Sequence, residues 1–95
     1  MVATELERER DALEKSGNDI AEGQNRIDRQ IKLIADLRAK GLDTGEGERL
    51  LALLGDTLTH WEQHHEMIVE RIAYLEAKHA AASAAAKPSQ PGGFT

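Results

Sequence analysis

Residues 51–82 read LALLGDTLTHWEQHHEMIVERIAYLEAKHAAA, and this stretch decides the fold. Apolar or weakly polar residues recur along it at alternating steps of three and four: Leu51, Leu54, Leu58, Trp61, His65, Ile68, Ile72, Leu75, His79 and Ala82. These steps keep one narrow stripe on one side of an α-helix, as in a helix that packs along another helix. We therefore expect a long helix over about residues 45–84, with a second helix lying along its stripe.

The chain before this stretch repeats an aliphatic residue every seven positions, which predicts a first helix over about residues 4–40. The repeating residues are Leu6, Leu13, Ile20, Ile27 and Ile34. If they take the d positions of a heptad, the a positions are Ala3, Arg10, Gly17, Gln24, Ile31 and Arg38.

The stretch from Ser16 to Asp19 contains Gly17, and a glycine inside a helix costs about 1 kcal/mol relative to alanine. The sevenfold phase nevertheless continues through it. We therefore favour one helix, kinked or frayed before Asp19, over the alternative of a separate short N-terminal helix.

A short turn is predicted at residues 41–44. Gly41 suits the left-handed position that ends many helices, and Asp43 or Thr44 suits the N-cap of the next helix. So short a connection between two long helices predicts an antiparallel helical hairpin that packs like a coiled coil.

Folding the chain at this turn predicts a register in which facing residues have numbers that sum to 88 or 89. Ile27 then faces Trp61. Gln24 faces His65, so that the polar residues of the two stripes share one layer.

The composition limits the class of protein. Ninety-five residues allow one small domain, and the absence of cysteine excludes a disulfide framework or a thiolate site. A net charge of −5 argues against nucleic acid as a partner. The basic group Arg26, Arg29 and Lys32 is interpreted as a solvated helix face, with the two arginines expected to pair with acidic residues such as Glu62.

The sequence also indicates whether the chain has a membrane span and where the hairpin ends. No apolar run approaches the ~20 residues that a membrane span needs, and the charged N-terminus does not resemble a secretory signal. We therefore expect a cytoplasmic protein. Residues 1–86 form the predicted hairpin, and residues 87–95, which contain proline and glycine, form a predicted disordered tail.

We call the line of contact between the two helices the seam. The end of the hairpin near the turn contains more leucines than one seam can bury. We expect these leucines to form an interaction surface: Leu33, Leu37, Leu42, Leu50 and Leu53. Packing two hairpins into a four-helix bundle would cover them, which predicts a homodimer. The alternative is a monomer in which they widen the seam.

One stretch, His60 to Glu66, has residues that suit chemistry. His60 and His64 are one helical turn apart and could share a metal ion. Such pairs also arise by chance, and the first helix supplies no further histidine. The predicted protein is therefore not an enzyme and carries no cofactor or metal, with metal or small-ligand binding by this pair as the alternative.

A pattern in the middle of the chain resembles a group of short, functionally uncharacterised bacterial proteins, mostly from alphaproteobacteria. The pattern is Gly23-x-x-Arg26-Ile27-x-Arg29-Gln30-x-x-Leu33-Ile34-x-x-Leu37, then Gly41-x-Asp43-Thr44, then Leu50-Leu51. The resemblance covers roughly residues 20 to 60. It implies a small helical hairpin and says nothing about a reaction or ligand.

Together these observations predict a non-enzymatic protein–protein interaction or structural accessory module. It would associate with itself through its apolar surface and could also bind an unidentified protein partner. A nucleic-acid-binding hairpin is a third, less favoured class.

Overall fold

The computed structural model describes residues 2–86, with side chains for residues 4–84. It contains two helices, α1 (Val2–Ala39) and α2 (Gly45–Ala86), and no strand within this range. The predicted all-α class is confirmed. α1 continues through Gly17 without a break, so the alternative of a separate N-terminal helix is wrong. The predicted tail at residues 87–95 lies outside the described residues.

The two helices lie side by side and run antiparallel. Leu6, near the start of α1, forms an apolar cluster with Ile68, Ile72 and Leu75 of α2. At the other end, the Nε2 of Gln30 donates a hydrogen bond to the carbonyl oxygen of Gly47, 3.0 Å away. The chain therefore doubles back as a hairpin.

The stripe of α2 packs against α1 as predicted from Leu51 to Leu75. Its members from Leu51 to His65 are half-buried, and those from Ile68 to Leu75 are buried. His79 and Ala82 are exposed. The most protected apolar contacts therefore lie at the end of the hairpin remote from the turn.

Only one of the two predicted sets of seam positions on α1 agrees with the structure. The residues that repeat every seven positions are buried or half-buried, which confirms their place in the seam. Four of the predicted a positions are wrong, because Arg10, Gln24, Ile31 and Arg38 are exposed. Gly17 is half-buried, and the side chain of Ala3 lies outside the described residues. The other half of the seam instead lies three residues after each aliphatic: Glu9, Ser16, Gly23, Gln30 and Leu37.

Small side chains explain this choice of face. A Cβ atom on Gly23 would lie 3.2 Å from Cζ3 of Trp61 and 3.5 Å from Cδ1 of Leu58. Gly23 therefore makes room for the largest side chain of α2. Gly17, by contrast, faces open space, since a Cβ there would meet no atom within 4 Å.

The register is also displaced from the prediction. The observed contacts between Ser16 and His65, and between Gly23 and Leu58, join residues whose numbers sum to 81, not 88 or 89. α2 begins directly after the turn, and Gly47 packs so closely on Ile34 that a Cβ would lie 3.1 Å from its Cγ1. This early contact sets the position of the whole of α2 along α1.

The turn follows the predicted chemistry. Gly41 has φ of 71°, in the left-handed region. Its N–H donates to the carbonyl of Arg38 at 3.0 Å, and the N–H of Leu42 donates to the carbonyl of Leu37 at 2.9 Å, which together form a Schellman motif. The Oδ1 of Asp43 accepts a hydrogen bond from the N–H of Gly45 at 3.1 Å, and the carbonyl of Thr44 accepts the first bond of α2, from Glu48.

Candidate interaction surface and histidine pair

Four of the five leucines of the predicted interaction surface are exposed. The exposed fractions are 47% for Leu33, 54% for Leu42, 45% for Leu50 and 63% for Leu53. Leu37 is half-buried in the seam instead. Its place follows from the corrected phase of α1, in which it continues the line of Gln30 and Ile34.

Leu33 and Leu50 lie on the same side of the hairpin. Leu33 directly precedes the seam residue Ile34, and Leu50 directly precedes the seam residue Leu51. In an antiparallel pair, the residues that directly precede such positions on the two helices flank the seam on one side. Their numbers sum to 83, close to the sum of 81 that facing residues show, so they also lie at a similar position along the hairpin axis.

A second line of exposed residues continues along α2 from Leu50. We call it the outer stripe, and it again advances by steps of three and four: Leu50, Leu53, Thr57, His60, His64, Met67, Arg71, Tyr74 and Lys78. Met67 is 66% exposed and Tyr74 is 64% exposed. α2 thus has one stripe that packs on α1 and a second that faces solvent.

The opposite side of the hairpin is bridged by charges. The guanidinium of Arg10 lies 2.9 Å from a carboxylate oxygen of Glu76, and that of Arg38 lies 2.9 Å from Glu48. The exposed aliphatic residues on this side, Ile31 and Val69, are separated along the seam. The larger apolar group therefore belongs to the side that carries the outer stripe.

Ion pairs also occur on the outer-stripe side. The Nε of Arg71 lies 3.1 Å from Oε2 of Glu9, and the Nζ of Lys15 lies 2.8 Å from Oδ2 of Asp19. The hydrogen bond and charge of Asp19 raise the pKa of the Lys15 ammonium above its usual value.

The basic group on α1 is arranged differently from the prediction. Arg26 pairs with Glu22 on its own helix, at 3.1 Å, instead of with Glu62 on α2. A glutamate four residues before an arginine is the favourable order for such a pair on a helix. The observed pair therefore keeps Arg26 on the solvated face.

His60 and His64 are both exposed members of the outer stripe. His64 lines a cleft of about 130 Å³ whose other residues are Ala12, Lys15, Ser16, Asp19 and Trp61. In the described part of the chain, no three His, Cys, Asp or Glu side chains are grouped so that they could hold a metal ion. A single hairpin therefore supplies two neighbouring imidazoles and no complete site within that range.

His65 belongs to the seam, as predicted, but its partner is different. Its Nδ1 lies 3.1 Å from Oγ of Ser16, while Gln24 is exposed. Sequence spacing did not identify Ser16, Gly23 and Gln30, because the next residues along the chain, Gly17, Gln24 and Ile31, were assigned to the seam instead. The apolar Leu37, three residues after Ile34, was the sequence signal that could have corrected the phase.

Neither helix contains, within residues 2–86, an apolar stretch of the length that a bilayer crossing requires.

Comparison with known proteins gave no match to a family model, a curated protein or a solved structure. The resemblance to short alphaproteobacterial proteins therefore stays an expectation.

Proposed function

We propose that this protein is a non-enzymatic interaction module that associates with itself through the apolar surface near its turn. In this proposal two hairpins pack into a four-helix bundle, and the dimer serves as a structural or regulatory accessory to another protein.

The main support is the exposed apolar group on one side of the hairpin. This group consists of leucines that are each at least 45% exposed: Leu33, Leu42, Leu50 and Leu53. Burial of these side chains in an interface would lower the free energy of the protein. Exposed apolar residues scattered singly are common on proteins, but contiguous groups mark interaction sites. Leu33 and Leu50 flank the seam on the same side, and Leu53 lies one helical turn after Leu50, so these three leucines form one group.

The spacing of the outer stripe favours a helix as the occupant. Alternating steps of three and four match a partner helix that presents side chains at the same spacing. A second copy of this chain presents such a helix, and closed two-fold dimers are the most frequent small homo-oligomers. On the opposite side, the exposed aliphatic residues Ile31 and Val69 are separated along the seam, so that side offers a smaller apolar surface.

Sedimentation equilibrium of the full chain tests this proposal. One chain has a mass of 10.4 kDa, and we expect the wild type to show twice that mass. The double substitution Leu50→Gln with Leu53→Gln should shift the mass towards that of one chain, because it replaces apolar surface while keeping side chains that favour helix. Circular dichroism should show that the variant stays helical.

Ile31→Gln is the matched control. Ile31 is 50% exposed but lies on the opposite side of the seam, so this variant should keep the mass of the wild type. A wild-type chain that stays at the mass of one chain up to high concentration would disprove the proposal. Equal weakening by the Ile31 and leucine substitutions would show that the wrong surface has been assigned.

A further inference from the structure

His60 and His64 lie inside the outer stripe, between Leu53 and Met67. Both are exposed, and residues four apart on a helix project from the same side. Neither contributes to the seam between α1 and α2. The fold of the single hairpin therefore leaves two neighbouring imidazoles free to meet whatever covers the outer stripe.

Two imidazoles match half of a zinc site. Zinc takes four ligands in protein sites, and histidine nitrogen is among the ligands that it prefers. Among residues 2–86, no third His, Cys, Asp or Glu is placed to complete a site with this pair. A second copy of the chain would supply two more imidazoles if His60 and His64 of both copies met.

We propose that two copies pack outer stripe against outer stripe with their turns at the same end, and that His60 and His64 of both copies bind one zinc ion between them. This inference rests on the proposed self-association and gives it a ligand and a geometry, an open bundle in which the two α2 helices are in contact and the two α1 helices lie on opposite sides of them. The metal site exists only in the dimer, because each copy contributes half of it.

The order of residues in the outer stripe favours the same-end arrangement. It places Leu50, Leu53, Met67 and Tyr74 each against its own counterpart, so apolar residues meet apolar residues. The antiparallel arrangement that groups the same four imidazoles is centred between His60 and His64, and it would instead place Leu53 against Arg71 and Thr57 against Met67.

The same-end arrangement also brings Arg71 of the two copies together. The charge of each Arg71 is compensated within its own chain, since its Nε lies 3.1 Å from Oε2 of Glu9. The one cationic position in the middle of the stripe therefore does not oppose this packing strongly.

Zinc titration of the full chain tests the metal site. For the wild type we expect one zinc ion bound per two chains by calorimetry. We also expect sedimentation to show a dimer dissociation constant about tenfold or more lower with zinc, because a ligand that binds only the dimer favours it. The double variant His60→Ala with His64→Ala should lose both effects. The control His79→Ala removes an exposed histidine that is not part of the outer stripe, and it should lose neither effect.

Two results would overturn the metal site. One is a wild-type chain that binds no zinc or binds it as a single chain. The other is a zinc response that persists in the His60/His64 variant. If the wild type is a dimer and zinc changes nothing, the shared site fails while self-association stands. If it is a single chain with and without zinc, both proposals fail.

Cross-linking tests the arrangement independently of zinc. The chain has no cysteine, so a single introduced thiol can pair only with its copy. Met67→Cys should form a disulfide-linked dimer under mild oxidation, because same-end packing brings the two thiols together. Ala73→Cys, on another face of α2, should form far less. Equal or greater cross-linking of the Ala73 variant would overturn the same-end arrangement.

Discussion

The Nδ1 of His65 lies 3.1 Å from the Oγ of Ser16, which joins the middle of α2 to the middle of α1. Ser16 is 8% exposed and His65 is half-buried, so this polar contact lies within the seam. The numbers of these two residues sum to 81, as do those of Ile34 and Gly47, so the contact holds the same register at the middle of the hairpin.

Replacement of Ser16 should therefore destabilise the hairpin. Ser16→Ala removes the partner of the His65 ring, and we expect the free energy of unfolding to fall by about 0.5–1.5 kcal/mol, the usual net value of such a hydrogen bond. Urea unfolding followed by circular dichroism at one chain concentration measures this. Gln24→Ala is the control and should change stability by less than about 0.5 kcal/mol, because Gln24 is exposed. The opposite ranking would contradict the observed register.

Two glycines of α1 should respond to alanine in different ways. Gly17→Ala should stabilise the protein by up to about 1 kcal/mol, since alanine favours helix and the new methyl group would meet no atom within 4 Å. Gly23→Ala gains the same helix preference but places a methyl group 3.2 Å from Cζ3 of Trp61.

We therefore expect Gly23→Ala to be less stable than Gly17→Ala, with no net gain over the wild type. Tryptophan fluorescence checks the cause, since Trp61 is the only tryptophan of the chain. Its emission should change in the Gly23 variant and stay constant in the Gly17 variant. Equal stabilisation by both substitutions would show that the seam has room at Gly23.

The turn should depend on Gly41. Its φ of 71° is costly for a residue with a Cβ, so Gly41→Ala should lower the free energy of unfolding by about 1–2 kcal/mol. Gly41→Asn should cost less, because asparagine tolerates this conformation better. Gly55→Ala is the control within a helix: a Cβ there would meet no atom within 4 Å, so it should not destabilise. A neutral Gly41→Ala would argue against the observed turn.

The Lys15–Asp19 pair predicts a small effect at alkaline pH. Asp19 raises the pKa of Lys15 above its ordinary value of 10.5. A raised pKa in the folded state means that the stabilisation is fully present below the unfolded pKa and disappears as pH rises through the folded one. Lys15→Gln should therefore melt slightly below the wild type near neutral pH and converge with it at strongly alkaline pH. A constant difference across that range would exclude this origin.

The stripe of α2 could be predicted because its members are large and apolar. Leu51, Trp61 and Leu75 identify their own side of the helix at any phase. On α1, the aliphatic repeat was predicted for the same reason. The remaining seam positions include Ser16, Gly23 and Gln30, whose burial depends on the residues opposite them and not on their own polarity. Apart from the three-residue step from Ile34 to Leu37, sequence spacing did not select them.

The register could not be predicted for a related reason. It depends on how closely the first turn of α2 approaches α1, and this approach is possible because Gly47 has no side chain between its backbone and Ile34. The exposed leucines near the turn were predicted from their excess over the seam, except Leu37, which the corrected phase places within it. Which residues of α2 form the outer stripe depends on which side of α2 faces α1, and sequence spacing alone does not define that.

The tightest apolar cluster joins Leu6 to Leu75, at the end of the hairpin farthest from Gly41. A mechanical load that separates the two helices at that end would meet its greatest resistance at the start of extension. Once these contacts yielded, the thinner seam beyond them would open progressively towards the turn at lower force. Under tension the two helices would therefore stay together up to a threshold force and then separate.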